Sequence, residues 1–412
     1  MVDAGEFVEV REGGLRLLVP VGFTTAGPGT RSRKPFYNPV MALGRDVTIL
    51  LVGATVDRRW TRFLDGLSAT GVLGLRVAQE TPTPEVVLCD RNPAAFALME
   101  ENARRNGLGA VRVVQDDVRA LMVREPFMHI ELDPYGPPTP FIDAALQGLY
   151  NRGILGITAT DTAPLAGTYP KTCIRRYWAR PMRAPFGHEL GLRILMGFLA
   201  RSASKFDLAV EPLAAYHAEH FYKVHVRVVR GASRADDALA KLAFALWDPL
   251  TGHRELQREP PREGPWAGPL WGGPLGDGGV LGAMARAAPR GSRAHALLER
   301  LLEEVDLPHL HHGTAEWSGR LRLSPPPLAR VLSGLRERGF KTGRTHLDPQ
   351  GFRTDAPAEA IGALLQDLAS SGGPKRSGYV GGKSVRDLPR GGESVEGGDE
   401  HGPGRRRHQT QD

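Results

Sequence analysis

Four short apolar runs between residues 63 and 133 each lead to an acid, and helical stretches lie between them. Phe63-Leu64 ends at Asp65, Val86-Val87-Leu88-Cys89 at Asp90, Val111-Arg112-Val113-Val114 near Asp116 and Asp117, and Phe127-Met128-His129-Ile130 leads to Asp133. Pro93 to Asn106 and Val118 to Val123 read as the intervening helices. This alternation is the pattern of a parallel α/β sheet. The strand ends, and so the acids, converge on one edge, where open α/β folds bind ligands. Gly153 to Thr158 supplies a further strand. Phe221 to Val229 alternates Val224, Val226 and Val228 against Lys223, His225 and Arg227, as an antiparallel edge strand would.

The first strand end opens into the small-residue turn Asp65-Gly66-Leu67-Ser68-Ala69-Thr70-Gly71, which permits close backbone approach to a ligand. Val72 stands where a phosphate-binding loop has its lysine, and Thr70 replaces the second glycine of a nucleophile elbow. A dinucleotide glycine pattern is missing from the turn as well. What remains is an acid at the base of a turn, Asp90 at the next strand end and Asp117 after the third. An acid at the second strand end can take both ribose hydroxyls and one after the third can accept from an adenine amine. S-adenosylmethionine, an adenosine ligand without phosphate, fits that set.

The fourth strand end carries Asp133-Pro134-Tyr135-Gly136. A carboxylate and a neighbouring carbonyl can accept both N–H bonds of an exocyclic amine while the Tyr135 ring stacks on its base. On these residues alone the amine could belong to DNA, RNA or protein. Asp133 is the natural group to orient the amine and remove its proton.

Five ordered segments make the reading specific: Phe36-Tyr37-Asn38-Pro39-Val40-Met41-Ala42-Leu43-Gly44-Arg45-Asp46, Leu67 to Gly71, Asp133 to Pro137, Gly153 to Asp161, and Gly343-Arg344-Thr345-His346. From about residue 6 to 358 the chain resembles the tRNA guanine-26 N2-dimethyltransferase family. The resemblance implies a Rossmann-like class I methyltransferase sheet with a second, smaller α+β C-terminal domain. It implies an enzyme that transfers one or two methyl groups from S-adenosyl-L-methionine to N2 of guanine 26 in tRNA. By similarity, Arg45 and Arg76 would contact the methyl donor, with Asp65 at the base of its turn. Asp90 would hold the donor's ribose, and Asp117 with the backbone of Val118 its adenine. Asp133 would be the acid-base residue, and Phe36 and Tyr135 would hold guanine between two rings. Tyr135 stands where the family more often has Phe, and Leu73 where it usually has Arg. The competing readings are a methyltransferase for another exocyclic amine, such as adenine N6, and a non-catalytic tRNA-binding protein.

Composition changes near residue 230, so residues 1–230 are expected to form the methyltransferase domain with its lead-in and 231–370 a C-terminal tRNA-binding domain. There, Asp236 to Trp247 reads as helical, Gly264 to Gly276 as a Trp/Gly/Pro loop, and His295 to Val305 and Leu328 to Arg338 as helices. Residues 371–412, rich in glycine and charge, are expected to be disordered. With 53 Lys plus Arg against 46 Asp plus Glu, the formal charge is +7, which favours a polyanionic partner. Three basic stretches could meet RNA: Arg31-Ser32-Arg33-Lys34; Lys171, Arg175, Arg176, Arg180 and Arg183 with Tyr169, Tyr177 and Trp178; and a wing after a helix bearing Lys341, Arg344, His346 and Arg353.

Cys89 and Cys173 form no metal-binding pattern, and His309, His311 and His312 read as a surface turn, so no metal is expected. Two cysteines, an N-terminus without an apolar signal core and no apolar run long enough to span a bilayer predict a cytoplasmic protein.

Overall fold

The apolar runs become the parallel half of one mixed sheet in the computed structural model, which describes residues 6–23, 34–56 and 62–371. The chain starts with the hairpin β1 (Phe7–Glu12) and β2 (Leu15–Pro20), and α1 (Ala42–Thr55) follows. Then come β3 (Arg62–Gly66), α2 (Val72–Glu80), β4 (Glu85–Asp90), α3 (Pro93–Arg105), β5 (Arg112–Gln115), α4 (Val118–Arg124) and β6 (Phe127–Leu132). After α5 (Ile142–Gln147), β7 (Leu149–Ala159), α6 (Thr162–Leu165), α7 (Pro170–Tyr177) and α8 (Gly187–Ser204), the sheet closes with β8 (Leu208–Ala218) and β9 (Phe221–Arg230). Strand order is β5-β4-β3-β6-β7-β9-β8, with β9 antiparallel to both β7 and β8. The expected Rossmann-like sheet is present.

The strand over Phe221 to Val229 is antiparallel, but β8 takes the edge in its place. Pro212 and a register shift interrupt the alternation of β8, features that sheets tolerate at edges. Because β9 is interior, Lys223 and His225 are buried and not solvated.

Side-chain amides satisfy the outer edge of β2. Asn102 on α3 accepts from Leu18 N (2.7 Å) and donates to Leu18 O (3.1 Å), and Asn106 does the same for Arg16 (2.9 and 2.8 Å). Asn102 also donates to Thr70 O (3.0 Å), which ties this hairpin to the glycine turn.

Beyond residue 230 lie α9 (Ala232–Leu239), β10 (Leu242–Trp247), β11 (Arg254–Gln257), β12 (Trp266–Trp271), α10 (Gly278–Ala287) and α11 (Arg293–Glu304). The expected helix from Asp236 to Trp247 is therefore cut short. Leu242–Trp247 is composed of good helix formers, yet it pairs on both sides, with β11 and β12, so tertiary context overrides propensity. The Trp/Gly/Pro loop supplies β12. α10 and α11 bury Leu281, Met284, Leu298 and Leu301 against Val47 and Leu51 of α1.

The chain continues with β13 (His312–Gly313), α12 (Thr314–Leu321), α13 (Leu328–Glu337), the hairpin β14 (Thr342–Arg344) and β15 (Gly351–Thr354), and α14 (Ala358–Ser371). The described residues fall in one compact unit, and the sheet itself ends at Arg230. The expected wing is present as β14 and β15. Lys341 and Arg344 are exposed on it, but Arg353 is 2% exposed and the His346 ring is buried, so neither offers an RNA contact. The expected surface turn at His309 to His312 is also internal, with His311 and His312 buried. The first basic stretch, through Arg33, and the C-terminal tail lie outside the described residues. Among the described residues, no helix is long and apolar enough to cross a membrane.

Glu189 accounts for the burial of Arg353 and His311. Its carboxylate accepts from Leu310 N (2.9 Å), His311 N (3.0 Å), His311 Nδ1 (2.9 Å), Arg193 Nε (3.0 Å) and Arg353 Nη1 (2.9 Å). Removing one partner from a buried ion pair strands the other charges and costs about 3–5 kcal/mol. Glu189→Ala is accordingly expected to lose about that much unfolding free energy in urea titration; a midpoint equal to the wild type's would contradict this account.

Candidate active site

The carboxyl ends of β3 to β6 open onto a cleft of about 850 Å³. It is lined by Phe36, Asp90, Asp117, Val118, Asp133 and Tyr135 among the residues singled out from sequence, together with Leu67, Ala69, Asp116, Thr160, Asp161 and His220. Five carboxylates line it against Lys34, Arg91 and Arg119, so acids outnumber bases in the lining.

The small-residue turn is held open by its neighbours. Leu67 (φ 69°), Ala69 (φ 50°) and Gly71 (φ 77°) all adopt left-handed backbone, a conformation that costs a non-glycine residue about 1–3 kcal/mol. Asp90 offsets part of this by accepting from Ala69 N (3.0 Å) with one oxygen and Asn92 N (2.9 Å) with the other.

Asp117 caps α4 by accepting from Arg119 N (2.9 Å), and the Arg119 guanidinium Nη2 lies 2.6 Å from its other oxygen. That hydrogen bond lowers the carboxyl to about 2, so Asp117 is an ionised acceptor throughout the neutral range. Val118 follows at the first helical position, and its side chain is buried.

Asp133 lies at the cleft floor, open toward the cleft and enclosed by protein elsewhere. Enclosure raises its pKa, while Lys223, Arg45 and a hydrogen bond from Thr158 oppose the rise. The turn after it is pinned to the end of β7: Gly136 N donates to Thr160 Oγ1 (2.7 Å), and Thr160 N to Gly136 O (3.1 Å). At the mouth, the Phe36 and Tyr135 rings meet edge to face, with centroids 4.8 Å apart. A base between them needs two stacking intervals of about 3.4 Å each, so the rings must part to admit one.

Three expected donor-site residues do not line the cleft. Asp65 is 5% exposed and accepts from Gly74 N (2.9 Å); burial pushes its carboxyl up to about 7. Arg45 makes a two-point contact with Glu12 (2.6 Å each) and donates to Asn38 O (3.2 Å). Arg76 pairs with Glu80, Asp46 and Glu12. Glu12 also accepts from the Tyr37 hydroxyl (3.0 Å), so this network fixes the segment that carries Phe36.

Sequence reasoning missed the polar residues behind the floor. Glu131 on β6 is 1% exposed and contacts Lys223 Nζ (2.6 Å), His129 Nε2 (2.8 Å) and His225 Nε2 (3.0 Å). Its signal was the period-two set His129, Glu131, Asp133 in an otherwise apolar strand. Among the described residues, no group of His, Cys, Asp and Glu gathers as a metal site.

Comparison with known proteins gives the family. The family model described as N2,N2-dimethylguanosine tRNA methyltransferase matches residues 25–366. The chain belongs to that family. A tRNA (guanine(26)-N(2))-dimethyltransferase of Pyrococcus horikoshii is 37% identical over 380 residues, covering 86% of this chain and 97% of its own. The enzyme of the same name from Methanoregula boonei is 38% identical over 372 residues, covering 86% and 97%. The solved structure of Trm1 from Pyrococcus horikoshii in complex with S-adenosyl-L-methionine superposes with a TM-score of 0.79 at 36% identity, covering 87% of this chain and 99% of that one.

In this member of the N2,N2-dimethylguanosine tRNA methyltransferase family, Glu131 needs the space over Gly156. A Cβ there would stand 2.0 Å from Glu131 Oε1. Gly156→Ala is expected to lower stability by about 1–3 kcal/mol, the usual cost of overpacking, as read by thermal unfolding. A wild-type melting temperature would show that the carboxylate can move aside.

Proposed function

We propose that this cleft transfers a methyl group from S-adenosyl-L-methionine to the exocyclic N2 of guanine 26 in tRNA, once or twice per nitrogen. The observation that carries the proposal is Asp133 on the floor of an acid-lined cleft with two aromatic rings at its mouth. The residues fit the donor: Asp90 for the ribose hydroxyls, Asp117 and the Val118 backbone for the adenine, and carboxylates compatible with a cationic sulfur. Bound there, S-adenosyl-L-methionine supplies an electrophilic methyl group. Arg45, Arg76 and Asp65 act at one remove, the arginines by fixing the Phe36 segment and Asp65 by holding the start of α2.

Asp133 accepts a hydrogen bond from the N2 amine and aims its lone pair, which guanine otherwise delocalises into the ring. As the N2–C bond forms and the S–C bond breaks, leaving a neutral thioether, Asp133 takes the N2 proton. Such proton transfer contributes about 10²–10⁴ in rate. Phe36 and Tyr135 hold the flipped base, offsetting part of its unstacking cost.

The tRNA backbone is best accommodated along α7. Lys171, Arg175, Arg176, Arg180 and Arg183 are exposed there with Tyr169 and Trp178, which are 59% and 56% exposed. Tyr177 is different: it is buried and donates to Asp161 on the cleft wall (2.6 Å). Lys341 and Arg344 on the wing add a second cationic surface. The two cysteines are unbridged and buried, in keeping with a reducing cytoplasm.

Unmodified tRNA incubated with labelled donor is expected to yield N2-methylated guanosine by nucleoside mass analysis. Methyladenosine alone, or no methylated base, would overturn the proposal. Asp133→Ala is expected to lower turnover by about 10²–10⁴ while donor affinity, read by calorimetry, stays near wild type; near-normal turnover would remove Asp133 from its role. Phe36→Ala and Tyr135→Ala are each expected to lose about 1–3 kcal/mol of base stacking, seen as reduced kcat/KM on tRNA, whereas Tyr135→Phe retains activity. An inactive Tyr135→Phe would show that the hydroxyl, not the ring, is needed.

A further inference from the structure

Behind the cleft floor, the sheet carries a ladder of polar groups on one buried face. His129, Glu131 and Asp133 alternate along β6 and its end, Gly156 and Thr158 follow on β7, and His225 and Lys223 on β9. Register pairs Glu131 with Gly156, Gly156 with His225, and Thr158 with Lys223. Lys223 Nζ donates to Glu131 Oε2 (2.6 Å) and to Thr158 Oγ1 (3.1 Å), with the Lys223 side chain 5% exposed. Thr158, its oxygen accepting from Lys223, directly follows Ile157, the register partner of Leu132, and so stands beside Asp133 at the strand end, within hydrogen-bonding reach of its carboxylate.

A buried Lys-Glu pair is a poor stabiliser, because desolvation cancels most of its attraction and apolar replacements are often neutral. Its position, one hydroxyl away from the proposed base, gives it another use. We propose that Lys223, acting through Thr158 and against the opposing charge of Glu131, is the positioning residue that keeps Asp133 oriented and ionised before each methyl transfer. This inference rests on Asp133 being the base. Glu131 Oε1 is shared by His129 and His225, and its Oε2 faces Lys223. His225 Nε2 also contacts Thr48 Oγ1 of α1 (3.2 Å).

The other charged or titratable groups that face the base include Asp65 on β3, Arg45 on α1, Tyr216 on β8, Tyr135 beside it, and Asp161 and His220 in the cleft lining. Desolvation at the cleft floor raises the Asp133 carboxyl, and Lys223 leads the groups that restrain it. Losing the lysine therefore raises the pH needed to ionise the base. Losing Glu131, which repels Asp133, lowers it.

The test is the single-turnover methylation rate of the full chain from pH 5 to 8.5, with saturating S-adenosyl-L-methionine and unmodified tRNA. Lys223→Met is expected to move the acid limb up by about one pH unit, which is up to about tenfold in rate on the acid side of the limb, with the gap closing on the plateau above it. Lys223→Arg is expected to keep the limb near the wild type's, and Glu131→Gln to move it down. Opposite shifts from two variants of one cluster are what a general loss of folding does not produce. A Lys223→Met defect equal at every pH, or a profile that overlays the wild type's, would overturn the inference alone. If Lys223→Met does not fold by circular dichroism, Glu131→Gln decides, and a limb that stays or moves up is fatal. Normal turnover in Asp133→Asn would instead overturn the base assignment and this inference together.

Discussion

A fully buried carboxylate, Glu189, sets the geometry on which the rest of the molecule depends. Burying one ion without partners costs several kcal/mol, so its surroundings must bring donors to it. The donors come from α8 itself, from the backbone and ring of the Leu310–His311 turn, and from β15. Arg353 then bridges to Glu304 of α11 (3.1 Å), which also holds the His346 ring (2.9 Å). The His346 Nε2 accepts in turn from His217 N on edge strand β8 (3.3 Å). Each link has a direction as well as a charge, so the wing and the methyltransferase sheet have one mutual arrangement. That arrangement holds the exposed Lys341 and Arg344 fixed with respect to the cleft.

Glu131 is equally buried but does something different. Its partners lie on strands of the same sheet, so it joins no distant elements and adds little to their docking. Burial pushes its carboxyl up, yet Lys223 and His225 hold it well below the usual range, so it stays charged. The consequence is a fixed charge pair beneath the strand end that carries Asp133, the proposed base. A base in an enclosed cleft needs such an arrangement, since desolvation disfavours the charged form that accepts a proton.

The strand-end rule foresaw that Asp90, Asp117 and Asp133 line one cleft, because it depends only on alternation along the chain. It misplaced Asp65, which lies inside β3 opposite Leu88 and Glu131 and so points into packing rather than out over the edge. The alternation of Lys223, His225 and Arg227 looked like a solvated face because the partner that buries the first two, Glu131, comes from a strand 92 residues away from Lys223. Arg353 and His311 were misread for the same reason, since Glu189 lies 164 and 122 residues from them. Local sequence shows that a residue is polar but not whether a distant charge will meet it. Leu242–Trp247 failed differently: its composition favours helix, and only the strands on either side make it a strand.

The closed aromatic pair at the cleft mouth fits the same logic of partners supplied from elsewhere. Phe36 and Tyr135 face each other at 4.8 Å, an edge-to-face contact of about 0.5–1.5 kcal/mol. A base entering between them gives up that contact and gains stacking worth about 1–3 kcal/mol on a ring. With a ring on each side, a purine gains more than the pair loses, whereas a small non-aromatic amine does not. The Phe36 segment is held to the Glu12, Arg45 and Tyr37 network and the Tyr135 turn to Thr160, so both rings stand on anchored supports. Under the proposed function the mouth selects for a flat ring and Asp133 for its exocyclic amine, two requirements that a guanine presented by its N2 edge meets.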